Sequence, residues 1–176
     1  MKKVHLIGIC GTAMAALASM LENRGWQVSG SDAAAYPPMS DLLTSRGIKV
    51  QNGYLAERIN PELDLVVVGN VAARSNVEAQ WAAELKLNCR SLPETLWQEF
   101  LKGKKQRLVV AGTHGKTTTS SMLVWGLESC AAQPSFMIGG ELLNFSANYR
   151  LASGDSFVLE GDEYNSAYFD RHAKFH

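Results

Sequence analysis

The sequence is poor in cysteine, has no long apolar run and carries no excess of charge of either sign. Its cysteines show no CxxC pairing and no histidine at zinc-ligand spacing, which predicts reduced, mostly buried thiols; they are Cys10, Cys89 and Cys130. No stretch approaches the ~20 apolar residues that cross a bilayer. The glycines that follow the basic start Met1-Lys2-Lys3 are untypical of a signal peptide. We therefore expect a cytoplasmic protein without a membrane partner.

The charges balance, with 17 basic and 17 acidic side chains in 176 residues. Because this balance creates no global positive field, we do not expect the chain to bind nucleic acid. The apolar share of 46% is ordinary for a globular protein. The length allows about one to two domains.

The most informative segment joins an apolar strand at 108–111 to the start of a helix, and it reads Gly112-Thr113-His114-Gly115-Lys116-Thr117-Thr118. Its glycines allow a tight turn whose N–H groups point at an anion, and the helix N-terminus favours negative charge. In such a turn Lys116 supplies positive charge to the β and γ phosphates, and Thr117 ligates Mg²⁺. Val110 stands where a Walker A loop needs its first glycine. The pattern therefore predicts a phosphate-binding loop of another class.

A second glycine turn, Gly8-Ile9-Cys10-Gly11-Thr12, follows the apolar run 4–7. Asp32 comes about 20 residues later, where dinucleotide-binding folds place a ribose-binding acid. A complete GxGxxG motif needs glycine at two positions that hold Cys10 and Ala13. The turn still predicts a diphosphate site at the N-terminus of the following helix. A purely structural strand-to-helix turn is the alternative.

An acidic run, Glu160-Gly161-Asp162-Glu163, ends a later apolar strand. Carboxylates at such a strand end commonly hold Mg²⁺ beside nucleotide phosphates. Glu160 is the predicted metal ligand because it comes directly at the end of the strand. Asp162 and Glu163 either orient a substrate or lie in a solvated turn.

Strands and helices alternate along the chain, which predicts an α/β fold with parallel sheets. The predicted strands are 4–8, 26–30, 47–50, 63–69, 108–111, 135–138 and 157–160. The basic break 102–107 separates a Rossmann-like domain, residues 1–103, from the first part of a P-loop ATP-binding α/β domain, residues 104–176. Because such a nucleotide domain usually needs ~100 to 150 residues, we expect the second domain to be truncated.

Apolar side chains at helical spacing predict the buried helix faces. In the predicted helix 76–85 these side chains are Val77, Trp81 and Leu85. We expect the large aromatic residues to serve the cores; they are Tyr36, Trp81, Trp97 and Trp125. His5 is expected to be half-buried in the first strand.

The chain resembles the Mur ligases, the ATP-dependent enzymes that build the peptide of bacterial peptidoglycan. Their phosphate loop, Gly-Thr-x-Gly-Lys-Thr-Thr, matches residues 112–118 in full. The segments 8–14, 28–32 and 160–163 lie where the branch with a UDP-N-acetylmuramate acceptor has its counterparts. Further segments look closest to the branch that recycles wall fragments; they are 36–40, 93–97, 160–164 and 167–170. Asn165 departs from the aspartate expected in that branch.

This resemblance implies a ligase that joins UDP-N-acetylmuramate to the recycled tripeptide L-alanyl-γ-D-glutamyl-meso-diaminopimelate through an acyl phosphate. ATP and Mg²⁺ are the implied cofactors. The implied catalytic residues are Lys116, Thr117 and Glu160, with Thr117 and Glu160 on the metal and residues 112–118 around ATP. The implied substrate-binding residues are Gly8, Cys10, Gly11, Thr12, Asp32 and Asn70.

The resemblance also implies partners within the same enzyme. The family's later histidine ligand, adenine-binding segment and carboxyl-terminal domain lie beyond His176, so we expect this chain to bind at most UDP-muramate without turnover. Three alternatives remain open: a ligase that adds L-alanine to the same acceptor, an NAD-dependent oxidoreductase with a fused regulatory P-loop, and a non-catalytic nucleotide sensor.

Overall fold

The computed structural model describes residues 1–161 and residue 167. The chain divides into two compact units, one formed by Met1–Thr95 and the other beginning at Leu96. Within the described residues, no helix has both the length and the apolar character needed to cross a membrane.

The first unit alternates strands and helices in the predicted manner. Its elements are β1 (Lys3–Ile7), α1 (Thr12–Asn23), β2 (Gln27–Asp32), α2 (Met39–Ser45), β3 (Lys49–Asn52), β4 (Leu65–Val68), α3 (Val77–Glu84), β5 (Cys89–Ser91) and α4 (Leu92–Leu96). A short 3₁₀ turn, Ala56–Arg58, precedes β4. The strands form one parallel sheet in the order β3-β2-β1-β4-β5. This is the doubly wound order of Rossmann folds, with the chain reversing direction between β1 and β4.

Burial explains why this sheet forms. All four residues of β4 are buried, as expected for a central parallel strand that is covered on both faces. In α1, every residue from Met14 to Leu21 is buried, so this helix is enclosed on all sides rather than along one stripe.

The second unit begins with a π-helical turn, Trp97–Leu101. Its further elements are β6 (Gln106–Ala111), α5 (Lys116–Ser129), β7 (Ser135–Leu142), β8 (Ala147–Arg150) and β9 (Ser156–Gly161). The sheet order is β6-β9-β7-β8, in which β9 lies parallel to both of its neighbours and β8 pairs antiparallel with β7. A core formed by Val124, Phe136, Ile138, Leu142 and Val158 lies between α5 and the sheet. The predicted α/β class is confirmed.

Two short strands were absent from the sequence prediction. β5 reads Cys-Arg-Ser and β8 reads Ala-Asn-Tyr-Arg. Neither shows an apolar run or a strict alternation, so only pairing with a longer neighbour defines them as strands.

The predicted core role of the large aromatic residues is wrong. Their exposed fractions are 68% for Tyr36, 39% for Trp81, 44% for Trp97 and 50% for Trp125. In α3, Val77 is also exposed, and the buried side chains are instead Glu78, Ala79 and Ala82. Small residues on the inward face let the helix pack closely against the sheet, where Ala79 and Ala82 join a cluster with Val66 and Val68.

The cysteine and histidine expectations also need correction. Cys130 is exposed, and Cys10 and Cys89 are only partly buried, so the thiols are not mostly buried. His5 is almost completely buried, with 2% of its surface exposed. Burial is tolerated because hydroxyl groups of the neighbouring strand β2 lie within hydrogen-bond distance of both ring nitrogens.

Candidate functional site

The predicted substrate-binding residues of the first unit meet at one edge of its sheet. The turn 8–11 follows β1, Asp32 ends β2, and Asn70 comes two residues after β4. Since the strands are parallel, their carboxyl ends share this edge, and ligands of open α/β sheets bind where the strand order reverses. Gly8, Cys10, Gly11, Thr12, Asp32 and Asn70 therefore lie at the edge that such a fold uses for binding.

Hydrogen bonds to β2 hold the first part of the turn. The N–H groups of Gly8 and Ile9 both donate to the Ser31 carbonyl oxygen, at 2.8 and 3.1 Å. The N–H of Cys10 donates to Asp32 Oδ2 at 2.9 Å. Three successive N–H groups thus point into the protein and not toward a ligand.

The N–H groups that are available to bind an anion therefore lie slightly later in the chain. The first N–H of α1 that bonds within the helix belongs to Ala15, which donates to the Gly11 carbonyl oxygen at 2.8 Å. The preceding N–H groups, those of Thr12, Ala13 and Met14, begin the helix and point out of its N-terminus. An anion at this turn would meet these groups and the positive end of the helix dipole.

Close backbone packing explains the glycines at this edge. Gly8 has a φ of +81°, and a Cβ there would lie 2.7 Å from Val71 Cγ2. A Cβ on Gly30 would lie 2.6 Å from the Leu6 carbonyl oxygen. Gly8 therefore leaves room for the loop after β4, and Gly30 lets β2 lie close to β1.

The thiol at the turn is a poor nucleophile. Burial raises the pKa of Cys10, and the negative charge of Asp32 raises it further. The thiol therefore stays protonated near neutral pH, which favours a packing role for its side chain.

A buried polar network that the sequence analysis missed lies beneath this edge. The ring of His5 places Nδ1 3.0 Å from Ser29 Oγ and Nε2 3.3 Å from Ser31 Oγ. Glu78, which is fully buried, accepts a hydrogen bond from the Ser31 hydroxyl through Oε2 and from the Leu55 N–H through Oε1, the latter at 3.0 Å. Burial raises the pKa of Glu78, but hydrogen bonds from His5, Ser31 and the Leu55 N–H outweigh it and hold the pKa below its ordinary value.

In the second unit, the phosphate-loop segment connects β6 to α5. Gly112 has a φ of +153° and Gly115, at the N-cap of α5, has a φ of +74°, conformations that L-residues rarely adopt. The Lys116 ammonium donates to the Gly112 carbonyl oxygen at 2.8 Å, which keeps the positive charge at the loop. Because the N–H of Thr119 is the first to bond within the helix, the earlier N–H groups of Lys116, Thr117 and Thr118 begin it.

Glu160 lies beside this loop. It pairs in register with Val110 near the end of β6, and its Oε2 accepts the Gly139 N–H at 3.1 Å. A Cβ on Gly139 would lie 2.8 Å from that oxygen, and a Cβ on Gly140 would lie 3.0 Å from Thr117 Cγ2. Glu160 and Thr117 therefore approach two adjacent glycines of β7, Gly139 and Gly140. The Gly-Gly pair after the apolar run 135–138 was the sequence signal for this close approach.

The donor set at this point suits a divalent cation. Glu160 Oε1 is buried and has no hydrogen-bond partner among the residues that the structure describes, so this carboxylate oxygen is a candidate ligand atom. Mg²⁺ commonly takes one or two protein oxygens and completes its shell with water and phosphate. Among the described residues, no group of three or more His, Cys, Asp or Glu side chains forms a metal site. Asp162, Glu163 and Asn165 lie outside the described residues.

An open groove of about 380 Å³ starts at the first turn of α5. Hydroxyl groups line one part of it and aromatic rings another; its lining includes Thr117, Thr118, Ser121, Trp125 and Phe145. The rings of Trp125 and Phe145 meet edge to face with centroids 6.2 Å apart. The groove therefore offers both polar and apolar contacts next to the phosphate loop.

Known proteins of similar sequence identify the family of this chain. A family model described as "Mur ligase family, catalytic domain" matches residues 3–103. The UDP-N-acetylmuramate–L-alanyl-γ-D-glutamyl-meso-2,6-diaminoheptandioate ligase of Escherichia coli (strain K12) is 44% identical over 173 residues, which are 98% of this chain and 38% of that protein. A UDP-N-acetylmuramate–L-alanine ligase of Syntrophomonas wolfei is 36% identical over 169 residues, 96% of this chain and 36% of that protein.

A solved structure gives the same result. The crystal structure of the UDP-N-acetylmuramate:L-alanyl-γ-D-glutamyl-meso-diaminopimelate ligase from Neisseria meningitides superposes with a TM-score of 0.94 at 42% identity, covering 99% of this chain and 57% of that one. The chain spans about 38% of the length of the tripeptide ligases of Escherichia coli and Haemophilus influenzae that it matches. The family match, the doubly wound sheet and the phosphate loop agree, and the chain belongs to the Mur ligase family.

Proposed function

We propose that this chain is the amino-terminal part of a murein peptide ligase, which joins UDP-N-acetylmuramate to L-alanyl-γ-D-glutamyl-meso-diaminopimelate with the cleavage of ATP to ADP and phosphate. Its first unit would bind the UDP-sugar acceptor, and its second unit would begin the ATP site. The observation that carries the proposal is the pairing of Glu160 with Val110 on the strand that leads into the phosphate loop. This pairing places a carboxylate that suits Mg²⁺ beside the loop that contains Lys116 and Thr117.

The choice of amine substrate follows from the similarity. The tripeptide ligase of Escherichia coli is 44% identical to the chain, whereas the L-alanine ligase of Syntrophomonas wolfei is 36% identical. Both act on UDP-N-acetylmuramate by name, so the acceptor is the same under either alternative.

In this proposal the residues perform separate tasks. A carboxylate is a poor electrophile, so the γ-phosphoryl group of ATP first moves to the muramyl carboxylate and leaves ADP. The peptide amine then attacks the acyl phosphate, an amide bond forms and phosphate leaves. Lys116 and the N–H groups of the loop would hold the phosphates, and Mg²⁺ on Thr117 and Glu160 would offset the charge of the transferring group.

Residues at the first sheet edge would bind the acceptor. The N–H groups that begin α1 at Thr12 would meet the diphosphate of UDP, while Gly8, Cys10 and Gly11 shape the turn. Asp32 holds the turn through Cys10 and lies next to it at the end of β2, where we place the ribose or uracil, with Asn70 on the neighbouring loop.

The test is an activity assay with the protein as its gene encodes it. ATP, Mg²⁺ and UDP-N-acetylmuramate are combined with either the tripeptide or L-alanine, and ADP release and product mass are measured. We expect ADP release and an amide product with the tripeptide. Product with L-alanine alone would favour the alanine ligase, and binding of NADH without binding of UDP-N-acetylmuramate would favour the oxidoreductase. Nucleotide binding without product from any combination would favour the sensor.

A matched pair of lysine variants tests the loop. Lys116→Ala removes the cation beside the phosphates and is expected to lower kcat by at least about 100-fold, the scale of a lost electrostatic contact to the transition state. Lys49→Ala removes an exposed lysine of β3 and should leave kcat unchanged. Equal rates for both variants would remove Lys116 from the mechanism.

A further inference from the structure

We propose that Glu78 is a positioning residue for the turn that binds the UDP-sugar acceptor. It does not lie in the turn itself. The inference rests on the proposed function, because it concerns how firmly the same binding edge is held. It is carried by a continuous path of hydrogen bonds from the buried carboxylate to the backbone of the turn.

The first link of this path is Ser31. The Ser31 hydroxyl donates to Glu78 Oε2, and the carbonyl oxygen of the same residue accepts the N–H groups of Gly8 and Ile9. Ser31 has no exposed surface, so water does not compete for these contacts. Fixing the Ser31 side chain therefore fixes the acceptor that holds the start of the turn.

The second link anchors Glu78 itself. Asn76 holds the backbone of Glu78 in place, because its Oδ1 accepts the N–H groups of Glu78 and Ala79 at the start of α3. Its Oε1 accepts the Leu55 N–H and lies 3.6 Å from Arg58 Nη1. The carboxylate thus connects α3 and the loop after β3 to the end of β2.

A carboxylate suits this position because several donors converge on it. The Ser31 hydroxyl, the Leu55 N–H and the Arg58 guanidinium approach its two oxygens, and the His5 ring lies 3.4 Å from Oε2. An ionised carboxylate has about four acceptor sites and no donor, so it satisfies all of these groups. Arg58 is itself held by the carbonyl oxygens of Asn52 and Gly53, which orients its charge.

The test is the Kd for UDP-N-acetylmuramate, measured by calorimetry on the protein as its gene encodes it. Glu78→Ala removes every acceptor at this position and is expected to raise the Kd by about tenfold. Ser31→Ala removes the hydroxyl link but keeps the carbonyl oxygen, and it is expected to raise the Kd by about threefold. These changes are on the scale of one or two net hydrogen bonds. Glu78→Gln keeps one acceptor oxygen and should restore most of the affinity that Glu78→Ala loses.

A destabilised control separates positioning from general loss of structure. Ile48→Ala truncates a buried side chain immediately before β3, at the opposite end of that strand from the binding edge. We expect it to lower Tm without raising Kd. If Ile48→Ala weakens binding as much as Glu78→Ala, or if Glu78→Ala and Ser31→Ala bind as the wild type does, the positioning role is wrong.

Amide hydrogen exchange, measured without ligand, tests whether Glu78 holds the backbone of the turn. In Glu78→Ala, or in Ser31→Ala should the first variant not fold, we expect the amides of Gly8 and Ile9 to exchange with solvent about tenfold faster. The amide of Ala15, which bonds within α1, should be unchanged. Unaltered exchange at Gly8 and Ile9 would overturn the inference. Failure of the wild-type protein to bind the UDP-sugar, with faster exchange in the variant, would instead overturn the proposed function alone.

Discussion

Charged and polar side chains near both glycine turns act largely through the backbone. Asp32 accepts the N–H of Cys10, and Lys116 donates to the carbonyl oxygen of Gly112. Glu78 likewise accepts the N–H of Leu55. Since these contacts define the path of the main chain, a substitution there is expected to change ligand affinity together with local structure.

The lowered pKa of Glu78 predicts a pH dependence of stability. As the pH falls below about 4.3, the carboxylate of Glu78 takes up a proton in the unfolded chain before it does so in the native state. The contribution of ionised Glu78 to the free energy of unfolding is therefore fully present above that pH and is lost as the pH falls through the native pKa. Glu78→Gln cannot titrate. We therefore expect its deficit in unfolding free energy, measured by urea unfolding, to be largest near pH 7 and to shrink toward pH 3.5.

An exposed glutamate provides the control for this experiment. Hydrogen bonding and charge from Lys3 lower the pKa of Glu62, but solvent screens that pair. Glu62→Gln should therefore show a smaller change over the same pH range. A deficit for Glu78→Gln that is independent of pH would contradict the predicted linkage.

Two glycines with the same backbone angle allow strain to be separated from function. Gly8 and Gly25 both have a φ of +81°, but a Cβ on Gly25 would meet nothing within 4 Å. Gly25→Ala should lower the unfolding free energy by about 1–2 kcal/mol because of the left-handed backbone. Gly8→Ala should lower it further, because its Cβ would also lie 2.7 Å from Val71 Cγ2. Only Gly8→Ala should also raise the Kd for UDP-N-acetylmuramate, measured by calorimetry. Equal affinity in the two variants would remove the turn from the binding site.

At the scale of the element, helix starts are the positions that matter most. Gly11 is the N-cap of α1 and Gly115 that of α5, and neither helix has a side-chain cap, so both present their first N–H groups at the two sites. α3 differs because the Asn76 side chain accepts two of its first N–H groups. We infer that the capped start of α3 serves structure here, while the uncapped starts of α1 and α5, each preceded by a glycine turn, are suited to an anion.

This difference predicts the effect of removing the cap. Asn76→Ala leaves the N–H groups of Glu78 and Ala79 without their acceptor and should cost about 1 kcal/mol of unfolding free energy, measured by urea unfolding. Asn60→Ala is the control, because Asn60 accepts a single N–H, that of Glu62, in an exposed turn. A larger loss for Asn60→Ala would contradict the assignment.

At the scale of the whole molecule, every strand pairing among the described residues lies within one unit. All pairings of β1 to β5 join residues between Lys3 and Ser91. We therefore predict that residues 1–103, the predicted first domain, fold by themselves and give one cooperative thermal transition by circular dichroism. A polypeptide ending at residue 88 should not, because it lacks β5 and leaves the buried strand β4 at an edge. A non-cooperative transition for residues 1–103 would place the boundary elsewhere.

Sequence patterns predicted the fold well wherever a segment is locally consistent. The strand-turn-helix order around Gly8 and around Gly112 was confirmed, since an apolar run, a glycine turn and a helical repeat identify these elements without their neighbours. The burial of Trp81, Trp97 and Trp125 was predicted wrongly. Helical spacing shows which residues share a face, but it does not show what packs against that face.

The sequence by itself determined the α/β alternation, the glycine turns and the family, because each depends on residues that are near one another in the chain. Only the tertiary structure decided that Glu78 points inward to Ser31 and that Glu160 lies against Gly139. These contacts join residues separated by 47 and 21 positions. Their partners come together through the pairing of strands and the packing of α3. The Gly-Gly pair of β7 signals a close approach, but no local pattern identifies Glu160 as the side chain that approaches it.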